Sequence, residues 1–212
     1  MKKPPVGHSI DALTALDVIF TRRSVRSFGP ESLDKATIHG LLDAAVQAPT
    51  AMHLEPWVFV VVDDRATLRR YSDRAKREWV TDVTAHRELH LGASRDSERA
   101  FAQQIVSPDF DIFYNAPTLI VICGKPMGPF VTGDCWLAAE NLMLAATALG
   151  LGSCCVGSAI PALTAPDVRR ELAIPDGYAV VAPIVVGVPE GPPPLAVRKD
   201  PEILSWIQDG SR

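Results

Sequence analysis

The sequence predicts an α+β chain in which helices cover a sheet, and three observations carry that prediction. Three runs are apolar and rich in β-branched residues: Trp57–Val62, Thr118–Cys123 and Ala179–Val188. Segments with helical spacing separate them, which is the pattern of a layered fold. A long alanine-rich segment, Asp134 to Leu149, carries small or apolar residues nearly all round. A helix of that kind is buried, within the fold or at a subunit interface.

The elements follow in order. Ile10, Leu13, Leu16, Ile19 and Phe20 have helical spacing, so a first helix is expected from about Asp11 to Thr21. A second follows Asp34, with Ile38, Leu41, Leu42, Ala45 and Val46 on one face. It ends at Ala48-Pro49, because the residue before proline avoids the helical region. A loop over 50–56 leads into the first strand, whose near-continuous apolarity indicates cover on both faces. Residues 64–106 are the most charged stretch and read as a surface excursion, two helices with a break near Leu91-Gly92. After the second strand and a turn-rich connector comes the alanine-rich helix, with Gly150 and Gly152 marking its exit. Thr164-Ala165-Pro166-Asp167 reads as a capped start for a short helix. A third strand, an extended proline-rich tail and a helical segment over 201–208 complete the chain.

With 212 residues, 47% hydrophobic and 22% charged, the composition is that of one globular domain over 1–212 with a real core. A net charge of −4 argues against nucleic acid as the main partner. The longest apolar stretch, Tyr178 to Val188, is broken by Pro183 and Gly187 and is too short to span a membrane. Met1-Lys2-Lys3-Pro4-Pro5 has no apolar run behind it, so no signal peptide is expected. Cys123, Cys135, Cys154 and Cys155 make no CxxC pair, and adjacent thiols bond poorly to each other. Reduced, buried thiols and a cytoplasmic location follow.

Against that acidic background stands Arg22-Arg23-Ser24-Val25-Arg26-Ser27-Phe28. Guanidinium is a permanently charged planar fork that matches the oxygens of a phosphate, and serine hydroxyls complete such a site. The plain alternative is a helix C-terminus, where arginines offset the negative end of the dipole. Other motifs are weaker. His86 and His90 are four apart but lack a third ligand, so no metal is expected. Gly150-Leu151-Gly152 lacks the third glycine and the preceding strand of a dinucleotide fingerprint, and no Walker-type lysine motif is present.

Four pieces, in order, resemble the nitroreductase family of FMN-dependent oxidoreductases. Ile19 to Phe28 resembles its N-terminal phosphate-binding motif, and Ala48-Pro49-Thr50-Ala51-Met52-His53-Leu54-Glu55-Pro56-Trp57 its Ala-Pro-Ser-x-x-Asn-x-Gln-Pro-Trp loop. Asn141 to Ala146 with Gly150 to Cys154 resembles the central helix and its exit turn, and Val185 to Pro189 followed by Arg198 the last strand and arm. The match covers about residues 15–208.

The resemblance implies a three-layer fold with a mixed central sheet flanked by helices and an extended C-terminal arm. It also implies a homodimer with FMN at the subunit interface, NADH or NADPH as donor, and ping-pong transfer to a small electron-poor acceptor such as a nitroaromatic or quinone. Arg22 and Ser24 are then expected at the FMN phosphate and ribityl chain, with Arg23 adding main-chain or charge contacts. Arg26 is expected near the pyrimidine edge, where a cation stabilises the reduced anion. Pro49, Thr50 and Ala51 are expected to reach the other subunit's flavin. Val156 and Gly157 are expected to present amides toward N5, and Arg198 to close over the phosphate.

Two positions depart from the family pattern: His53 stands where asparagine is usual, and Glu55 where glutamine is usual. His53 either donates a proton to the reduced acceptor or replaces the amide in packing. The excursion, about 64–115, is long enough for a lid. That leaves open a specialised flavin enzyme, fragmenting flavin, dehalogenating or dehydrogenating. A non-catalytic FMN-binding dimer is the third reading.

Overall fold

A computed structural model describes residues 13–86, 95–192 and 195–207. Four strands form one sheet in the order β1-β2-β4-β3: β1 (Trp57–Val62), β2 (Thr118–Gly124), β3 (Gly152–Cys155) and β4 (Ala179–Gly187). All three strand ladders are antiparallel. The mixed character comes from residue 24, where Ser24 makes an isolated parallel bridge to Ser153.

Period two in the strands sorts the layers. In β2, Ile120 and Ile122 face one side, where α2 (Lys35–Ala45) and α5 (Val131–Ala148) pack on the sheet. Leu119, Val121 and Cys123 face the other, against α3 (Arg65–His86), α6 (Ile160–Thr164) and α7 (Pro166–Glu171). Every residue of β2 is buried, which explains its unbroken apolarity. Each fully buried aliphatic in these two layers contributes about 1.5–3 kcal/mol.

Local signals account for most boundaries. Asp34 caps α2 by accepting the Thr37 N–H at 2.6 Å. Thr14 and Asp17 form a capping box that starts α1 (Ala15–Thr21). Gly150 ends α5 at φ +72°, a conformation glycine enters without cost. The charged excursion is the expected pair of helices, α3 and α4 (Arg95–Ile105), and its break lies outside the described residues.

Four expectations are corrected. β3 replaces the turn expected after α5, because Gly152–Cys155 pairs with Cys155↔Ile184 to Gly152↔Gly187 on β4. α6 was not expected. Residues 201–207 are not helical; all seven are exposed, so no burial holds a turn. In α1 the buried residue is Val18, while Leu13, Leu16, Ile19 and Phe20 are exposed; the stripe points away from this chain's own core. No helix among the described residues is long and apolar enough to cross a membrane.

Candidate functional site

The basic motif lies beside β3 as an added, extended segment. Val25 donates its N–H to the Ser153 carbonyl at 3.0 Å, and Gly29 donates to Val188 at 2.9 Å. In an extended segment, side chains alternate. Val25 is buried in the same core cluster as Cys154, and Ser24 bridges to Ser153. Burial pushes the Cys154 thiol up from its usual range, and the neighbouring Arg26, Ser24 and Arg22 pull it partly back. Arg22, Ser24 and Arg26 are thus the residues of the motif near the middle of β3, where Ser24 bridges to Ser153.

The two adjacent arginines have different partners. Arg22 Nε donates to Glu140 Oε1 of α5 at 3.1 Å, and its side chain is only 18% exposed. Its Nη1 and Nη2 donate to no group among the described residues. Arg23 instead folds back, donating from Nη1 to the Phe20 and Arg22 carbonyls at 2.8 Å each. Arg23 thus serves the end of α1, as the dipole reading expects.

A cleft of about 340 Å³ opens beside this segment. Arg26, Tyr114, Trp79 and Phe101 line it, together with the turn Cys155–Ser158. The Arg26 guanidinium lies 5.9 Å from the Tyr114 ring centre. Burial raises the Tyr114 phenol, Cys154 adds to that, and Arg26 opposes it. Burial also pushes the Cys155 thiol up to about 11, so it is no nucleophile at neutral pH.

The turn itself corrects one expectation. Val156 donates its N–H to the Pro183 carbonyl at 2.8 Å, so that amide cannot also face a ligand. Gly157 is exposed, and a Cβ there would meet nothing within 4 Å. Its N–H makes no backbone bond among the described residues. Ser153 Oγ is buried without a hydrogen-bond partner.

Pro49, Thr50, Ala51 and His53 lie at the other end of α5. Ala51 donates to the buried Asp134 at 3.3 Å, and Glu55 donates its N–H to Thr50 Oγ1 at 3.4 Å. Met52, His53 and Glu55 have φ of 54°, 54° and 44°. His53 and Glu55 are exposed, and Glu55 makes no ion pair among the described residues. Within one chain this loop does not line the cleft, nor does the exposed Arg198. His90 lies outside the described residues, as does the His86 side chain; no group of metal-binding side chains occurs among those described.

Sequence reasoning missed Glu140, Ser153, Tyr114, Trp79 and Phe101. Glu140 adjoins the matched Asn141, which was a usable signal. Nothing local marked Trp79 and Phe101, which sit in the most charged part of the chain.

The family model for the nitroreductase family matches residues 19–188. The chain belongs to the nitroreductase family. As a member it is a nitroreductase-family oxidoreductase. It is 29% identical over 180 residues to a candidate NADH dehydrogenase/NAD(P)H nitroreductase of Archaeoglobus fulgidus, covering 82% of this chain and 85% of that one. It is 26% identical over 190 residues to an iodotyrosine deiodinase of Thermotoga neapolitana, covering 87% and 93%. Its fold matches the crystal structure of a Bacteroides fragilis nitroreductase with bound FMN, at TM-score 0.71 and 26% identity, over 92% of this chain and 98% of that one.

Proposed function

We propose that two copies of this chain bind FMN and pass hydride from NADH or NADPH to a small electron-poor acceptor, a nitroaromatic or a quinone. The observation that carries the reading is the placement of Arg22, Ser24 and Arg26 near the middle of β3, beside an unpartnered Ser153 hydroxyl and the open Gly157 amide. These groups fit FMN: donors for a phosphate near the dianion, and an exposed amide for a ring heteroatom. FMN, when bound, supplies the two-electron relay from the nicotinamide to the acceptor, with the acceptor's proton drawn from water.

The chain's own residues do the rest. Arg22, with Ser24 and Ser153, holds the phosphate, while Arg23 steadies α1. Arg26 puts positive charge beside the pyrimidine edge, and Gly157 donates its N–H to the ring. The helices α3 and α4 act as the lid of a single folded unit and shed water from the cleft.

A second copy is part of the proposal. Leu16 and Phe20 on α1 are 65% and 73% exposed, and Leu195, Val197, Leu204, Trp206 and Ile207 of the arm are more than 70% exposed. A monomer rarely leaves so much apolar surface in water. In the dimer, Pro49, Thr50, Ala51, His53 and Arg198 of one copy complete the other's site, and the location is the cytoplasm. The deciding experiment is purification with light scattering, a flavin spectrum, and anaerobic addition of each nicotinamide. A dimer whose yellow colour bleaches with NADH or NADPH is expected. A monomer that never takes up FMN overturns the reading.

The lid favours a second reading, a reductive dehalogenase like the Thermotoga relative. Turnover sustained by an iodophenol and not by a nitroaromatic or quinone would establish it.

The loop adds a prediction about His53. Asparagine and histidine are both among the residues that best tolerate a φ of +54°. His53→Asn is therefore expected to change the reductive and oxidative half-reactions less than twofold across pH 6–8. A selective loss in the oxidative half, with loss of a neutral pH dependence, would make His53 the proton donor.

A further inference from the structure

We infer that Trp79 and Phe101 determine acceptor specificity, as an aromatic wall that selects planar ring compounds; this rests on the flavin reading above. The inference begins with the spacing of the buried residues on each lid helix. In α3 the core-facing stripe is Leu68, Tyr71 and Ala75, all 3% exposed or less. Trp79 continues that stripe by one turn, but it is only half-buried and lines the cleft. In α4 the core anchor is Ile105, fully buried, and Phe101 lies one turn before it, again half-buried and again on the cleft. Each ring thus stands one turn beyond the last core contact of its own helix.

The two rings meet edge to face, centres 5.5 Å apart and planes at 90°. They share the cleft with Tyr114 and the Cys155–Ser158 turn. Arg26 and Gly157, which the flavin reading gives to the ring, line the same cleft, so the flavin takes part of its volume of about 340 Å³ and the three aromatic residues line what is left for a compact acceptor. Electron-poor rings complement the electron-rich faces of indole and phenol.

The wall is held from outside the cleft. Arg70 pairs with Glu171 of α7, and Arg74 with Asp167 of α7 and with Glu78 at 2.7 Å. Lys76 Nζ donates to the carbonyls of Ser107 at 2.7 Å and Phe110 at 2.8 Å, tying α3 to the segment that follows α4. Exposed pairs of this kind add little stability, but they fix where α3 points. Two highly charged helices therefore place two aromatic rings where the core does not use them.

The test uses the FMN-loaded dimer. Oxidised protein is titrated with nitrobenzene, without nicotinamide, and the flavin absorption band reports binding. Trp79→Leu and Phe101→Leu, which stay apolar but lose the ring, are each expected to raise Kd about three- to tenfold. Trp79→Phe, which keeps a ring, is expected to recover most of that. Dithionite-reduced protein is then mixed with nitrobenzene or with ferricyanide, a compact acceptor without a planar ring. The ratio of nitrobenzene to ferricyanide reoxidation is expected to fall about fivefold in the leucine variants. Unchanged nitrobenzene affinity, or an equal loss with both acceptors, overturns the wall while the flavin reading stands. Failure of the wild-type protein to take up FMN, or of NAD(P)H to bleach it, sinks both.

Discussion

Gly152→Ala is expected to lower stability by about 2–3 kcal/mol and to weaken FMN binding in the same stroke. A Cβ at residue 152 would stand 2.8 Å from Val25 Cβ and Cγ1 and 2.9 Å from Cγ2. Val25 Cβ is fixed to its backbone, so no rotamer change clears the contact. The two segments must part, and the 3.0 Å bond from Val25 N–H to the Ser153 carbonyl is the bond that opens. For a chain of this size the loss corresponds to about 5–10 °C in Tm. Ser24 and Arg26 flank Val25, so moving it also displaces the anion-binding side chains. In a double-mutant cycle, Val25→Ala should offset part of the Gly152→Ala loss, because it removes two of the three clashing carbons. A Gly152→Ala protein with wild-type Tm and wild-type FMN affinity would show that this close approach does not hold the segment in place.

The strands β2 and β4 were readable because burial on two faces demands unbroken β-branched and apolar runs. β1 was read the same way, but it is an edge strand in which only Trp57 and Val62 are buried and Val61 is exposed, so the expected cover on both faces is not there. α2 was readable from its Asp34 cap and its apolar face. β3 was not: Gly-Ser-Cys-Cys has no strand propensity of its own, and it is a strand because β4 lies on one side and the Ser24 bridge on the other. Much of the site is hidden with it. The arginine cluster pointed to an anion site, but which arginines are free to serve one depends on pairing with β3. α1 failed differently. Its stripe was real, but helical spacing identifies an apolar face without saying whether the same chain covers it. Val156 was misassigned because a motif gives the position of an amide and not its existing partner, here the Pro183 carbonyl.

The comparison of Arg22 with Arg23 is the most discriminating measurement on the site itself. Arg22→Ala is expected to weaken FMN binding about 10- to 100-fold. Removing one charge-assisted contact to a phosphate costs about 1.5–3 kcal/mol, and each 1.4 kcal/mol is tenfold. The side chain is largely buried and already oriented, since Glu140 takes Nε at 3.1 Å and leaves both terminal nitrogens open. Little ordering entropy is therefore lost when an anion arrives. Arg23→Ala should change FMN affinity less than threefold and act instead on stability, because its guanidinium is spent on the Phe20 and Arg22 carbonyls. Arg22→Lys separates charge from geometry. A lysine keeps the charge but has no separate Nε to hold Glu140 while two terminal nitrogens face the phosphate, so only part of the affinity should return. Flavin fluorescence titrations of the three variants measure all of this directly. Equal and small losses at both arginines would mean that the cluster only terminates α1, and the phosphate would then have to be held elsewhere.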